Sequence, residues 1–416
     1  MKALPFACLR PAPAYAADVA ALPYDVYTSA EAARAVADRP LSFLNIDRPE
    51  TQFPPGHDMY APEVYERAAE LLRARVNAGV YVDDPDPCYY LYELESGGRA
   101  QTGVVAVCPI DEFLDGTVRE HEKTRPEKER DRICHIEALG AQTGPIFLSY
   151  RDTAELDALA AGAAAAPALY NFTDDEGCHQ RVWRIAEPRR TAAIEAAFSR
   201  VERAYIADGH HRTASAVRVG LERRAAAQAA GTYTGREPFN YVLCVLFPAG
   251  QLNILPYNRA VLDRGGMPPE KLVGAVRAAG FEVTAASAPV QPEYPGVIGM
   301  FCAGQWWRLR VKPLVEGEAV RVDPVSALDI SVLQDRVLRP VLGIDDPRRD
   351  PRIRFVGGVR GLDELERVAG GEGAAFSMYA TSIQQLFAVA DAGLLMPPKS
   401  TWFEPKLRSG LFIHRI

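Results

Sequence analysis

Apolar residues recur along this chain with two periods, and the two alternate from one end to the other. Residues 59–80 carry Val64, Leu71, Leu72 and Val76 at helical spacing, which predicts an amphipathic helix. Residues 89–95 and 102–108 alternate or run apolar around Gly97-Gly98, the pattern of a hairpin. Residues 191–203 read as a helix and 204–207 as a short apolar strand broken by Asp208-Gly209. The helical pattern then resumes from His211 through Ala214, Val217, Val219 and Leu221. Residues 241–247 form a continuous apolar run, as a buried strand does. Pro268-Pro269 ahead of residues 270–279 and Gly280 behind them frame a further helix. Residues 281–284, 306–311 and 374–379 read as strands, and 326–342, 362–368 and 382–390 as helices. Pro23-Tyr24-Asp25-Val26 and residues 43–49 look like strand ends running into loops. Such interleaving predicts a mixed α and β class.

A length of 416 residues exceeds one ordinary core, so two or three structural units are expected. Apolar residues at 48% supply enough surface to bury them. Residues 154–169 are Ala-rich and read as a surface helix or an insertion. The net charge of −7 argues against broad nucleic-acid binding, which neutralises phosphates with basic residues. Seven cysteines, odd in number, scattered and without a C-x-x-C pair, argue against a disulfide framework or a zinc knuckle. Free thiols in a reducing compartment are the simpler expectation. The first 16 residues lack the apolar run of a signal peptide, and nowhere do about 18 uncharged apolar residues follow one another. A cytoplasmic protein with no membrane partner is expected. Oligomeric state leaves no mark in the sequence.

The densest chemistry lies at Tyr205-Ile206-Ala207-Asp208-Gly209-His210-His211-Arg212. A strand ends in a tight turn and a helix opens at once. A helix N-terminus presents unpaired N–H groups and partial positive charge, and so attracts anions. Gly209 permits close approach, while His210, His211 and Arg212 add donors for phosphate oxygens. Asp208 stands where it orients a hydroxyl or holds a magnesium ion; a lone Asp there would be only a cap. A second cluster is Glu120-His121-Glu122-Lys123-Thr124-Arg125, where Glu122 has the surroundings of a general base and His121, Lys123 and Arg125 those of phosphate ligands. A solvated helical face with paired charges reads the same way. A third is Lys399-Ser400-Thr401 behind a Pro turn, suited to a phosphate or carboxylate. Asp25, Asp47 and Arg48 lie at expected strand ends, where they line the same cleft or merely form turns. There is no P-loop, no G-x-S-x-G elbow and no H-E-x-x-H, and Gly357-Gly358-Val359-Arg360-Gly361 lacks dinucleotide spacing.

The segment Ile206-Ala207-Asp208-Gly209-His210-His211-Arg212 resembles the phosphate-binding motif of the ParB/sulfiredoxin-like fold, in the D-G-H-H-R form of the free serine kinases. His121-Glu122 resembles their P-H-E segment with the Pro missing, and Lys399-Ser400-Thr401 resembles their P-K-T-T segment. The whole chain, including Pro23-Tyr24-Asp25-Val26, Asn45-Ile46-Asp47-Arg48-Pro49 and Met396-Pro397-Pro398-Lys399, is similar to a bacterial and archaeal family known as domain of unknown function 1015. The resemblance implies an α+β fold: an N-terminal α/β extension over residues 1–90, a ParB-like catalytic core over 91–240, and a C-terminal α/β unit over 241–416 completing the active site. The extension and the Ala-rich stretch have no counterpart in the compact serine kinases.

The function so implied is phosphotransfer to a small hydroxy amino acid, serine first among them, from ADP, ATP or pyrophosphate with Mg2+. Glu122 would be the base, with Asp208 orienting the hydroxyl or binding the metal. Gly209, His210, His211 and Arg212 would hold the transferred group, and Lys399, Ser400, Thr401, Asp47 and Arg48 the substrate. The alternatives are a ParB-like nucleotide-binding regulator, and a phosphoserine phosphohydrolase using the same site.

Overall fold

The computed structural model describes residues 1–312 and 323–416. The chain divides into two units: Met1–Leu252 with Pro405–Ile416, and Asn253–Glu404. The class is mixed α+β.

The first unit is built on an eight-stranded sheet. Its strands are β1 (Tyr89–Ser96), β2 (Arg99–Pro109), β3 (Val118–Arg119), β4 (Ile146–Tyr150), β5 (Tyr170–Thr173), β6 (His179–Ile185), β7 (Ala204–Asp208) and β8 (Tyr241–Pro248). Their order is β3-β7-β4-β8-β2-β1-β6-β5. The β1–β2 hairpin turns at Gly97-Gly98, both at positive φ, as the double glycine predicts. The pairs β7–β3 and β8–β4 are parallel and the rest antiparallel. β8 is central and buried along its length, in keeping with its unbroken apolar run. Tyr241 to Pro248 thus lies inside the first unit instead of opening a C-terminal one.

Five helices of this unit matter below: α1 (Pro62–Asn77), α2 (Pro126–Leu139), α3 (Ala154–Ala164), α4 (Pro188–Phe198) and α5 (His210–Ala229). On β8, Val242, Cys244 and Leu246 join the core shared with α3, α4 and α5. The Ala-rich stretch is α3, anchored there by Leu156 and Ala163. Residues 1–90 are no detached extension. Leu4 bridges Val107, Phe6 bridges Cys88 and Leu9 bridges Ile413. The segment Pro405–Ile416 returns to this unit, where Phe412 packs on Tyr90 and Tyr92 at 5.3 and 5.5 Å between ring centroids.

Two sequence expectations fail here, one of them for a visible reason at residues 43–47. Residues 44–47 form a helical turn, Leu44–Asp47, and Tyr24–Val26 is a 3-10 turn. Phe43, Leu44 and Ile46 all enter one hydrophobic cluster, whereas a strand would send neighbours to opposite faces.

In the second unit, β9 (Tyr257–Val261), β10 (Phe281–Ala286), β11 (Val297–Cys302), β12 (Gln305–Val311), β13 (Ile353–Gly357) and β14 (Ala374–Ser377) form an antiparallel sheet in the order β10-β12-β11-β14-β9-β13. Its helices are α6 (Pro269–Ala278), α7 (Asp329–Leu333), α8 (Gly361–Ala369) and α9 (Ile383–Asp391). The helix expected over 326–342 is shorter. Asp323 accepts from the amides of Val325 and Ser326, which delays the start to Asp329. After Leu333 the chain widens to a π-helical turn, Gln334–Leu338. Among the described residues no helix is long and apolar enough to cross a membrane. None of the seven cysteines is in a disulfide, and every one but Cys134 is buried.

Candidate functional site

The pairing of β7 with β4 slips at its end: Ile206 faces Leu148, but Asp208 faces Phe147. A bulge of this kind re-aims the side chains that follow it. Gly209 then turns the chain at φ 97°, a conformation open to glycine and costly to most other residues. A Cβ on Gly209 would stand 3.1 to 3.2 Å from the Arg212 guanidinium, so the missing side chain also makes room for that arginine. α5 begins at His210 with no side-chain cap. Its first i→i−4 bond runs from the Thr213 amide to the Gly209 carbonyl, at 2.9 Å. The amides of His210, His211 and Arg212 precede that ladder and form the positive end of the helix.

Asp208 sits between two cations. Lys406 Nζ lies 3.2 Å from Oδ1, and Arg212 Nη2 lies 3.3 Å from Oδ2. Burial opposes the carboxylate, but Lys406 and Arg212 outweigh it and hold its pKa down at about 2. Arg212 also donates to the Pro145 carbonyl at 2.6 Å. Gly144 is cut to fit as well, since a Cβ there would meet Ser409 Oγ at 3.2 Å and Arg212 Nη1 at 3.3 Å.

The loop carrying Glu122 is pinned across the first turn of α5 at both ends. The ring of His121 meets that of His210 edge to face, centroids 4.5 Å apart. Four residues on, the Arg125 amide donates to His211 Nδ1 at 3.4 Å. Glu122, half-buried, and Lys123, exposed, lie on this strap. His121 bonds to the Ile206 backbone, yet burial pushes its pKa down to about 4. Burial and the neighbouring His121 push His210 well below its ordinary value. Both rings are therefore neutral near pH 7 and bring hydrogen-bonding capacity, not charge. His121 Nδ1 and His210 Nε2 are buried without a hydrogen-bond partner.

Behind Arg212 is a cavity of about 30 Å³, whose polar lining includes Asp47, Arg132, His135, Thr143 and Ser409. That volume suits roughly one water molecule. Asp47 accepts from Thr143 Oγ1 at 3.4 Å and stands 4.0 Å from His135 Nε2. Asp47 and Arg212 thus line one cavity, while Asp25 is exposed. Arg48 is engaged elsewhere, with the carbonyls of Tyr24 and Tyr27, Ser29 Oγ and the Glu50 carboxylate.

Lys399, Ser400 and Thr401 belong to the second unit. There Lys399 Nζ lies 5.6 Å from the Tyr257 ring centroid, Ser400 Oγ donates to Pro397 O at 2.5 Å, and the Ser400 carbonyl accepts from Thr381.

Sequence reasoning missed Lys406, Ser409 and His135. The signal for the first two was present. Leu411-Phe412-Ile413 is a buried apolar run, so the polar residues just ahead of it had to enter a core with it. A magnesium ion held by protein carboxylates does not fit the donors found here. Both Asp208 oxygens already face cations, and among the described residues no three of His, Cys, Asp and Glu gather around a common point.

The family model described as "Protein of unknown function (DUF1015)" matches residues 3–331. No curated protein matches the sequence. Among solved structures, the chain is similar to a free serine kinase in complex with AMP, at 13% identity and a TM-score of 0.37, over 74% of this chain and 91% of that one. It is similar to SbnI with C-terminal truncation from Staphylococcus aureus at 14% identity and a TM-score of 0.35, over 73% and 84%. A conserved hypothetical protein from Pyrococcus furiosus matches at 13% identity and a TM-score of 0.35, over 74% and 94%.

Proposed function

The chain belongs to the family of unknown function whose model spans residues 3–331, a membership that brings no activity with it, and from its own site we propose a phosphotransferase acting on a small hydroxy amino acid. One observation carries the reading. A carboxylate clasped by Lys406 and Arg212 stands at the open N-terminus of α5, with the Glu122 strap pinned beside it. A phosphoryl group needs converging donors and a nearby base for the attacking hydroxyl. The likeness of this segment to the D-G-H-H-R motif points the same way, toward a ParB/sulfiredoxin-like core and serine as acceptor.

The donor is a nucleoside polyphosphate or pyrophosphate. The acceptor oxygen attacks phosphorus, and its proton passes to Glu122. The P–O bond to the donor breaks, and the departing phosphate keeps the electron pair. Arg212, Lys406 and the first amides of α5 stabilise the oxyanions, with His210 as a neutral donor and His211 beside it. Asp208 acts as a positioning residue that holds the two cations in place. No step passes through a protein-held metal. Lys123 and Arg125 supply outlying positive charge, and Lys399, Ser400 and Thr401 are assigned to the substrate from their motif alone.

The test is a coupled assay with ADP, ATP or pyrophosphate, screened over amino acids, with Glu122→Gln alongside. Transfer to serine is expected, reduced about 10²- to 10⁴-fold in Glu122→Gln with nucleotide affinity kept. Undiminished turnover in that variant removes Glu122 from the mechanism. Nucleotide binding with no transfer to any acceptor supports the nucleotide-gated regulator instead.

A further inference from the structure

The second unit holds a buried arginine that is ion-paired to no carboxylate among the described residues. Arg259 is the middle residue of β9 and is almost fully buried. Its guanidinium donates to three backbone carbonyls, those of Tyr257, Pro398 and Lys399. Arginine carries five N–H donors, so two are left over. No ion pair to Arg259 occurs among the described residues, and burial pushes its pKa down to about 10. Among the described residues its partners are these neutral carbonyls and the Phe355 ring, whose centroid lies 5.4 Å from the guanidinium carbon, and none of them is a counter-charge.

Arg259 lines a cavity of about 250 Å³ built wholly from second-unit residues. Also lining it is Ser331 of α7, 4% exposed, whose hydroxyl has no hydrogen-bond partner among the described residues. Nearly all buried hydroxyls are satisfied, and an exception calls for an unseen ligand, ion or water. Two backbone irregularities flank the same cavity. The π-helical turn Gln334–Leu338 follows α7, and such turns recur at functional sites. Lys399, next to the lining residue Pro398, has φ 55°, a strained value for a residue with a side chain. The exposed Asp335 on the rim is already paired with Arg339, at 3.0 Å. Asp345, also exposed, lines the cavity too, and among the described residues neither aspartate is ion-paired to Arg259.

We propose that this cavity is a binding site for a small oxyanion, a carboxylate or phosphate group on a compact metabolite, held by the Arg259 guanidinium and the Ser331 hydroxyl. The volume is below the roughly 300 Å³ at which pockets begin to take larger ligands, which excludes a whole nucleotide. The site adjoins Lys399, Ser400 and Thr401, which the phosphoryl-transfer reading assigns to its substrate, so protection of residues 329–338 is the readout that belongs to this cavity alone.

Hydrogen-exchange mass spectrometry on the full chain, with inorganic phosphate and separately with acetate, reads the site locally. Peptides covering residues 329–338 and 396–401 should exchange more slowly with at least one of the two anions. Protection by phosphate alone identifies a phosphate site, and protection by acetate alone a carboxylate site. Ser331→Ala should weaken the protecting anion about 5- to 10-fold, yet melt at or above the wild-type temperature without it, because the change removes an unsatisfied buried hydroxyl. Arg259→Met should abolish the protection, and Ser331→Ala keeps the test valid if that variant fails to fold. Absence of protection with either anion up to tens of millimolar overturns the proposal. So does protection of equal strength in Ser331→Ala.

Discussion

Lys406 and Asp208 stand 198 residues apart in sequence and 3.2 Å apart in space. Their contact joins the returning segment Pro405–Ile416 to the turn where β7 gives way to α5. Replacing Lys406 with Met should lower phosphoryl transfer about 10²-fold or more, the usual result of removing one oxyanion donor. Lys406→Arg should recover part of it. The stability change should be small, about 1 kcal/mol, because the pair is partly exposed. It should also depend on pH. Asp208 titrates near 2 in the folded protein, below its unfolded value of about 3.9. Its stabilisation is therefore complete above about pH 4 and is lost as pH falls toward 2. Urea melts of the two proteins should differ at pH 7 and converge near pH 2.

Gly209 combines a positive φ with a crowded Cβ position. Gly209→Ala should destabilise the protein by about 1–2 kcal/mol. It should also push Arg212 away from Asp208 and so weaken nucleotide binding, which a titration of the purified variant would measure. Gly209→Asn should be milder in stability, since Asn tolerates the left-handed region better. Equal stability of all three proteins in urea would contradict the strain described here.

Three buried histidines, His121, His135 and His414, have pKa values lowered to about 4, chiefly by burial. The unfolded chain takes up these protons near pH 6.5, and the folded one only near 4. Stability is then fully present above about pH 6.5 and falls as pH drops through that window. Each histidine contributes up to about 1.4 kcal/mol per pH unit. Replacing His414, which bonds to Pro238 O at 3.0 Å, with Phe should flatten the slope between pH 5 and 6 by that much. Denaturant melts at half-unit pH steps would show it, and an unchanged slope would mean that His414 is protonated while folded.

Much of the site was legible because its chemistry is local. Asp208 to Arg212 are consecutive, and strand, turn and helix could be read from adjacent residues. β8 and the β1–β2 hairpin were legible for the same reason. Lys406 was not: the apolar run after it signals a core, but not which distant residue that core brings to it. Residues 43–47 misled because all their apolar side chains face one cluster, a property set by distant partners. The histidines read as phosphate-binding groups, but their charge state depends on burial, which sequence spacing does not carry.

The second unit is an excursion: the chain leaves the eight-stranded sheet after Leu252 and comes back at Pro405. On the ribosome, the clasp around Asp208 therefore stays open until Lys406 is added, 198 residues later. A nascent or prematurely stopped chain would carry the turn at Gly209 without its second cation, so translation order itself delays completion of the clasp until both units have been made.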